Sequence, residues 1–222
     1  MESIVLSRTQ VILLVAPPIL VITTYFTYKR LAARLGPERG YLGGFLFYWI
    51  VWCFLLSLLT VGPEGLREMF KPPHPQFGEP TWLGLILLLG PVVASFFVTM
   101  FPARVKAATF AILVVCALFA IVNGTMEEVL WRGTYIIAFQ GNWLWGYLYP
   151  SVWFGLWHIS PQVVFPSEGG VWRFALMAIL LGLAFGWVAM RSGSIRWPVA
   201  AHILLDFAGL AGFSLLRPGI SG

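Results

Sequence analysis

Residues 107–139, AATFAILVVCALFAIVNGTMEEVLWRGTYIIAF, carry no charge other than Glu127, Glu128 and Arg132. A helix rises 1.5 Å per residue, so this stretch would run to about 50 Å, against a hydrocarbon layer of about 30 Å. It is too long for one straight crossing and must tilt, kink or divide. If it divides, the break falls at Asn123-Gly124. There Thr125-Met126-Glu127-Glu128 reads as a capping box opening a second helix, which would compete with Arg132 for Glu128.

Working outward, similar apolar stretches occupy 11–28, 41–61, 82–101, 143–159, 171–190 and 197–216. The whole chain of 222 residues is 59% hydrophobic and 10% charged, with a mean hydropathy of +0.84. An ordinary soluble domain carries about 25% charged residues, so a water-soluble core is excluded. The reading is an all-α, polytopic transmembrane bundle of about seven to eight helices, forming a single integral membrane domain over 1–222. The first stretch ends at Lys29-Arg30 and contains Pro17-Pro18 with no clear small-residue cleavage site. It is therefore read as a retained span and not as a signal peptide. With seven spans, eight Lys and Arg fall on one side and five on the other, a bias that places the N-terminus outside; dividing the long stretch would exchange the sides of everything after it. Residues 62–80, with five prolines, are expected to form the one long polar loop.

The net charge of +5 fits loops facing anionic headgroups, and no basic stripe or stacking motif points to nucleic acid. Cys53 and Cys116 lie within apolar stretches and read as small core residues. Trp131, Trp157 and Trp197 read as interface anchors. No Gly-x-x-x-Gly face stands out strongly enough to argue a dimer.

A charge at the bilayer centre costs about 2.5–3.5 kcal/mol, so intramembrane ionisable groups face one another or a wet cavity. Glu128 and Arg132 stand four apart and share a helix face. Glu127 is rotated by about 100° and points elsewhere. Pairing holds Glu128 ionised, whereas Glu127 is available to accept and return a proton. His158 follows Phe154 by one turn, and Asp206 follows His202 by one turn. Glu168 and His74 fall in polar connections and receive no role. Two His and three acids on three helices can then converge on one cavity and activate water, with a donor for the tetrahedral oxyanion.

These residues, in this order, resemble the CPBP family of intramembrane endopeptidases, the CAAX proteases and bacteriocin-processing enzymes that include the Ras-converting CAAX endopeptidase. Glu127-Glu128-Val129-Leu130-Trp131-Arg132 looks like its EExxxR, Phe154-Gly155-Leu156-Trp157-His158 like its FxxxH, and His202-Ile203-Leu204-Leu205-Asp206 like its HxxxN/D. The resemblance covers about 80 residues and places the catalytic half at about 107–216. It implies packed transmembrane helices around a membrane-embedded catalytic cavity. Its implied roles are Glu127 as the base, Glu128 and Arg132 as support, His158 as a second water-activating group, and His202 with residue 206 as oxyanion stabilisers. Position 206 departs from the eukaryotic-type members, which have Asn: an ionised carboxylate cannot donate, so Asp206 must be protonated, orient His202 or bind a metal. A metal-free glutamate mechanism needs no cofactor; the alternative is zinc held by His158, His202 and either Asp206 or Glu127.

The expected activity is hydrolysis of membrane-associated or hydrophobic peptides, prenylated ones or C-terminal sorting tails included, in a prokaryotic cytoplasmic membrane. Its partners would be that peptide substrate and the lipid bilayer, and no nucleic acid. The alternative is a non-proteolytic membrane scaffold or partner-binding protein, or a proton-coupled carrier, of the same fold.

Overall fold

The computed structural model describes residues 6–99 and 101–209. Eight helical runs fill them: α1 (Arg8–Leu35), α2 (Pro37–Glu68), α3 (Thr81–Val98), α4 (Phe101–Ala107), α5 (Phe110–Ala138), α6 (144–157), α7 (Val171–Ser192) and α8 (Arg196–Ala208). Five of these, α1, α2, α3, α5 and α7, are long and apolar enough to cross a membrane. The molecule is a helical, multi-pass membrane bundle, as expected. The end of the last expected span, through 216, and Arg217 lie outside the described residues.

The first two helices form a hairpin. Gly36 takes φ +84°, a left-handed turn that a side chain would strain. Gly40 and Gly44 then let α2 close on α1: a Cβ at Gly40 would come within 2.3 Å of the Ala32 backbone, and one at Gly44 within 2.2 Å of the Tyr28 ring. Gly40 and Gly44 form a Gly-x-x-x-Gly face. It is spent inside the chain, between α1 and α2.

Pro17 and Pro18 lie within α1 without ending it. A helical proline lacks the N–H that would bond to the carbonyl four residues back, so the Leu13 and Leu14 carbonyls lose their helical donors. Both are recovered from other helices. Tyr135 of α5 donates its hydroxyl to Leu13 O at 2.8 Å, and Tyr149 of α6 donates to Leu14 O. In a medium without water, such replacement is what permits proline inside a span.

Two sequence expectations are corrected. The helix is not interrupted at Asn123-Gly124: α5 runs unbroken from Phe110 to Ala138, widening to π-helical turns over Val129–Thr134. The Asn-Gly turn signal is overridden by tertiary contacts. The Asn123 side chain bonds to other helices, and Gly124 lies against the backbone of α8, where a Cβ would stand 2.9 Å from Ile203 N. The supposed cap at Thr125 therefore does not form, and Glu128 is free for Arg132. Nor is 62–80 all loop, since α2 continues to Glu68 after a kink at Gly62.

The aromatic core between α1, α2, α5 and α6 contains Tyr28, Phe45, Tyr48, Trp131 and Trp157. Trp131 donates from Nε1 to Tyr48 Oη at 2.7 Å, and Trp157 stacks on Tyr48 at 3.8 Å. Both tryptophans are fully buried, so neither is an interface anchor. Each uses its ring to fill the bundle. On the other side, α8 lies across α5 and α3, with α7 beside it. Gly155 lets α6 close on α7, since a Cβ there would meet Ile179 Cγ1 at 2.2 Å.

Candidate active site

Helix α5 presents Asn123, Glu127, Glu128 and Arg132; α6 presents Phe154, with His158 capping its C-terminal end; α8 presents His202 and Asp206. The close approach at Gly124 brings α8 onto the acid-bearing turn of α5. Glu127 and Glu128 are both 0% exposed and His202 is 2% exposed.

The two acids are used differently. Glu128 is pinned: Arg132 Nη1 lies 3.0 Å from its Oε1, and His202 Nδ1 lies 2.7 Å from the same oxygen. No N–H of Arg132 is aligned on an acceptor, so its hold on Glu128 is charge against charge at short range. The guanidinium carbon also sits 4.1 Å from the Phe154 ring centroid, a cation–π contact. The motif phenylalanine is thus more than filler, because it supports the cation that anchors Glu128. Thr134 supports the same helix where it widens, donating to Val129 O at 2.9 Å.

Glu127 faces the other way. Neither of its carboxylate oxygens has a hydrogen-bond partner; His202 Nε2 is the nearest basic group, at 3.5 Å from Oε2. The same Nε2 lies 3.7 Å from Asp206 Oδ1. Both separations are too long for hydrogen bonds. Because Nδ1 is engaged with a carboxylate it carries a proton, and the ring edge bearing Nε2 is held between Glu127 and Asp206.

His158 Nδ1 lies 2.7 Å from Phe154 O. A carbonyl only accepts, so Nδ1 is the protonated nitrogen and Nε2 of the neutral ring carries a lone pair. His158 makes no hydrogen bond to the acids; it joins them through the Phe154 ring, 4.6 Å from His158 and 6.1 Å from His202 between centroids.

Asp206 and Asn123 complete the group. Asn123 Nδ2 donates to Asp206 Oδ2 at 2.9 Å, and Trp49 Nε1 donates to Asn123 Oδ1, also at 2.9 Å. From the sequence Asn123 reads first as a helix breaker, with a hydrogen bond into the cavity, four residues before Glu127, as the alternative; its partners on two other helices could not be read from spacing.

These side chains bound a cavity with two arms. The larger, about 530 Å³, runs between α3, α7 and α8, and Glu127, His158, His202, Asp206 and Asn123 stand on its wall. Met177 and Leu180, exposed on the outer face of α7, line its far end. A smaller arm of about 180 Å³ leads from Glu127, His158 and Asp206 towards Gln162 and Ser167, beside Tyr41 of α2. Glu128 and Arg132 line neither arm. Glu168 and His74 are exposed.

Among the described residues, no three His, Cys, Asp or Glu are arranged to hold a metal ion. The zinc set His158, His202 and Asp206 or Glu127 is therefore not assembled as a ligand cluster.

The bundle thus holds a buried acid pair and two histidines beside a largely apolar cavity. Residues 108–208 match the family model described as type II CAAX prenyl endopeptidase, Rce1-like. That segment carries all three motifs, and the match supports a CAAX-type membrane peptidase. No curated protein and no solved structure matches the chain.

Proposed function

We propose that the protein hydrolyses peptide bonds of membrane-associated or hydrophobic peptides, prenylated or C-terminal sorting peptides among them, with water activated by Glu127. The observation that carries the reading is a fully buried carboxylate with neither oxygen hydrogen-bonded, on the wall of a largely apolar cavity beside two imidazoles. A structural ion pair would not leave its acid unbonded, and Glu128 shows what such a pair looks like in this bundle.

In the proposed reaction the apolar arm takes the hydrophobic part of the peptide and sets the scissile carbonyl beside Glu127. His158 Nε2 accepts a hydrogen bond from the attacking water, and Glu127 removes the other proton. The water oxygen adds to the carbonyl carbon, and the oxyanion accepts a hydrogen bond from Nε2 of His202 in its doubly protonated form, a charge offset by the carboxylates of Glu128 and Asp206 around the ring. Glu127 then returns its proton to the amide nitrogen as the C–N bond breaks, giving one carboxyl and one amine end. Glu128 and Arg132 hold His202 in place, and Asp206 orients its free edge. No step requires a metal. The proposed setting is a prokaryotic cytoplasmic membrane, in keeping with the short connections between helices.

Purified protein and Glu127→Gln should be compared on a panel of hydrophobic peptides, prenylated ones included, with and without phenanthroline. Cleavage by wild type, lost in Glu127→Gln and unchanged by the chelator, is the expected result. Chelator-sensitive cleavage restored by zinc would overturn the glutamate mechanism, and equal activity in both proteins would overturn the role of Glu127. A folded wild type that binds the peptides but cuts none favours a scaffold, and pH-coupled flux in vesicles a carrier.

A further inference from the structure

We propose that Asn123 is a positioning residue of this site, fixing Asp206 against His202 from α5; the inference rests on the peptidase reading. Asn123 stands one turn before Glu127 on the cavity wall. Indole Nε1 can only donate, so the oxygen of the Asn123 amide must face Trp49, and the nitrogen must face Asp206. The amide orientation is thus set by chemistry and not by choice. Each end is bonded at 2.9 Å.

The consequence runs along a relay from α2 through α5 to α8. With Asp206 Oδ2 held by Asn123, the other oxygen, Oδ1, is the one turned towards His202 Nε2. Without Asn123 the carboxylate can rotate about its last side-chain bond, and Nε2 loses a fixed neighbour on the side where the oxyanion forms. Apart from Asn123 and Asp206 themselves, the apolar arm is walled mainly by residues of α3 and α7, so peptide affinity should be largely spared. A hydrogen bond to a charged group is worth roughly ten- to a hundredfold in an equilibrium or rate.

The test is a reciprocal exchange. Asn123→Asp sets two carboxylates face to face, and Asp206→Asn sets two amides. In the double variant an amide at 206 donates to a carboxylate at 123, which still accepts from Trp49 Nε1, so every partner is restored. Thermal stability in detergent and kcat and KM on a cleaved peptide should be read for all four proteins, for Asn123→Ala and for Trp49→Phe. Expected are about ten- to hundredfold losses in kcat for Asn123→Ala and Asn123→Asp with KM within about threefold. The double variant should recover kcat and stability above the worse single variant, and Trp49→Phe should lose several-fold in kcat.

Wild-type kcat in folded Asn123→Ala would overturn the role, as would a double variant no better than the worse single one. Recovery of stability without recovery of kcat would make the relay structural and also sink the proposal. If Asn123→Ala fails to fold, the exchange pair and Trp49→Phe decide. Failure of the peptidase reading is seen separately, as a wild type that cleaves nothing, and the inference falls with it.

Discussion

Removing one oxygen atom from Tyr135 should destabilise the whole bundle, and the size of the effect should depend on a residue on another helix. Tyr135→Phe keeps the ring that packs between Trp131 and Phe139 and deletes the hydroxyl bonded to Leu13 O at 2.8 Å. That carbonyl has no helical donor, because residue 17 is proline, so the variant leaves a buried acceptor unsatisfied. The cost of such an orphan is about 1–3 kcal/mol. At about 2–4 °C per kcal/mol for a chain of this size, melting in detergent should fall by about 2–12 °C. Pro17→Ala restores the N–H that α1 lacks. In that background the helix can satisfy Leu13 O itself, and Tyr135→Phe should cost less than half as much. Intrinsic tryptophan fluorescence during thermal unfolding measures all four proteins. A drop below 1 °C for the single variant, or an equal drop in both backgrounds, would show that the hydroxyl does not replace the missing donor.

Arg132→Met should be destabilising by about 3–5 kcal/mol, because Glu128 would remain buried with only His202 beside it; adding Glu128→Gln should recover much of the loss in the same melts. Glu127→Gln should abolish turnover while leaving the melting temperature unchanged or higher, since the carboxylate makes no hydrogen bond that the amide would forfeit; a lower melting temperature would show a structural role instead. Gly124→Val should lower both activity and stability, as even a Cβ stands 2.9 Å from Ile203 N and would push α8 off α5; wild-type values would disprove the close contact as the determinant of the site. Gly44→Leu should prevent folding, read as loss of the monodisperse peak in detergent chromatography, because its Cβ alone would meet the Tyr28 ring at 2.2 Å.

The spans were legible because apolar runs interrupted by basic clusters leave few alternatives in a bilayer. The pairing of Glu128 with Arg132 and the divergence of Glu127 followed from helical geometry alone. What escaped were features decided by partners distant in the chain. Asn-Gly at 123–124 signals a turn in water, but the Asn123 amide finds Trp49 and Asp206 and the glycine admits α8, so the helix continues. Pro17-Pro18 argued only against a cleaved leader; that two tyrosines from α5 and α6 would serve the orphaned carbonyls is a tertiary fact with no local trace. Trp131 and Trp157 resembled anchors because tryptophan near the end of an apolar run is ambiguous until the packing is known. Gly40 and Gly44 were visible as letters, but not which helix they would receive.

The division between Glu128, held by Arg132 and His202, and Glu127, left unbonded on the cavity wall, has an evolutionary reading. Glu128 and Arg132, which hold the histidine at Nδ1, line neither arm of the cavity, while the larger arm is walled mainly by residues of α3 and α7 that take no part in that hold. Substitutions at Pro91, Met177 or Leu181 can reshape what the cavity admits without disturbing the anchored acid. Under the proposed peptidase reaction, a lineage carrying this arrangement is free to exchange one class of hydrophobic peptide for another by drift along one wall, with the anchored acid inherited intact.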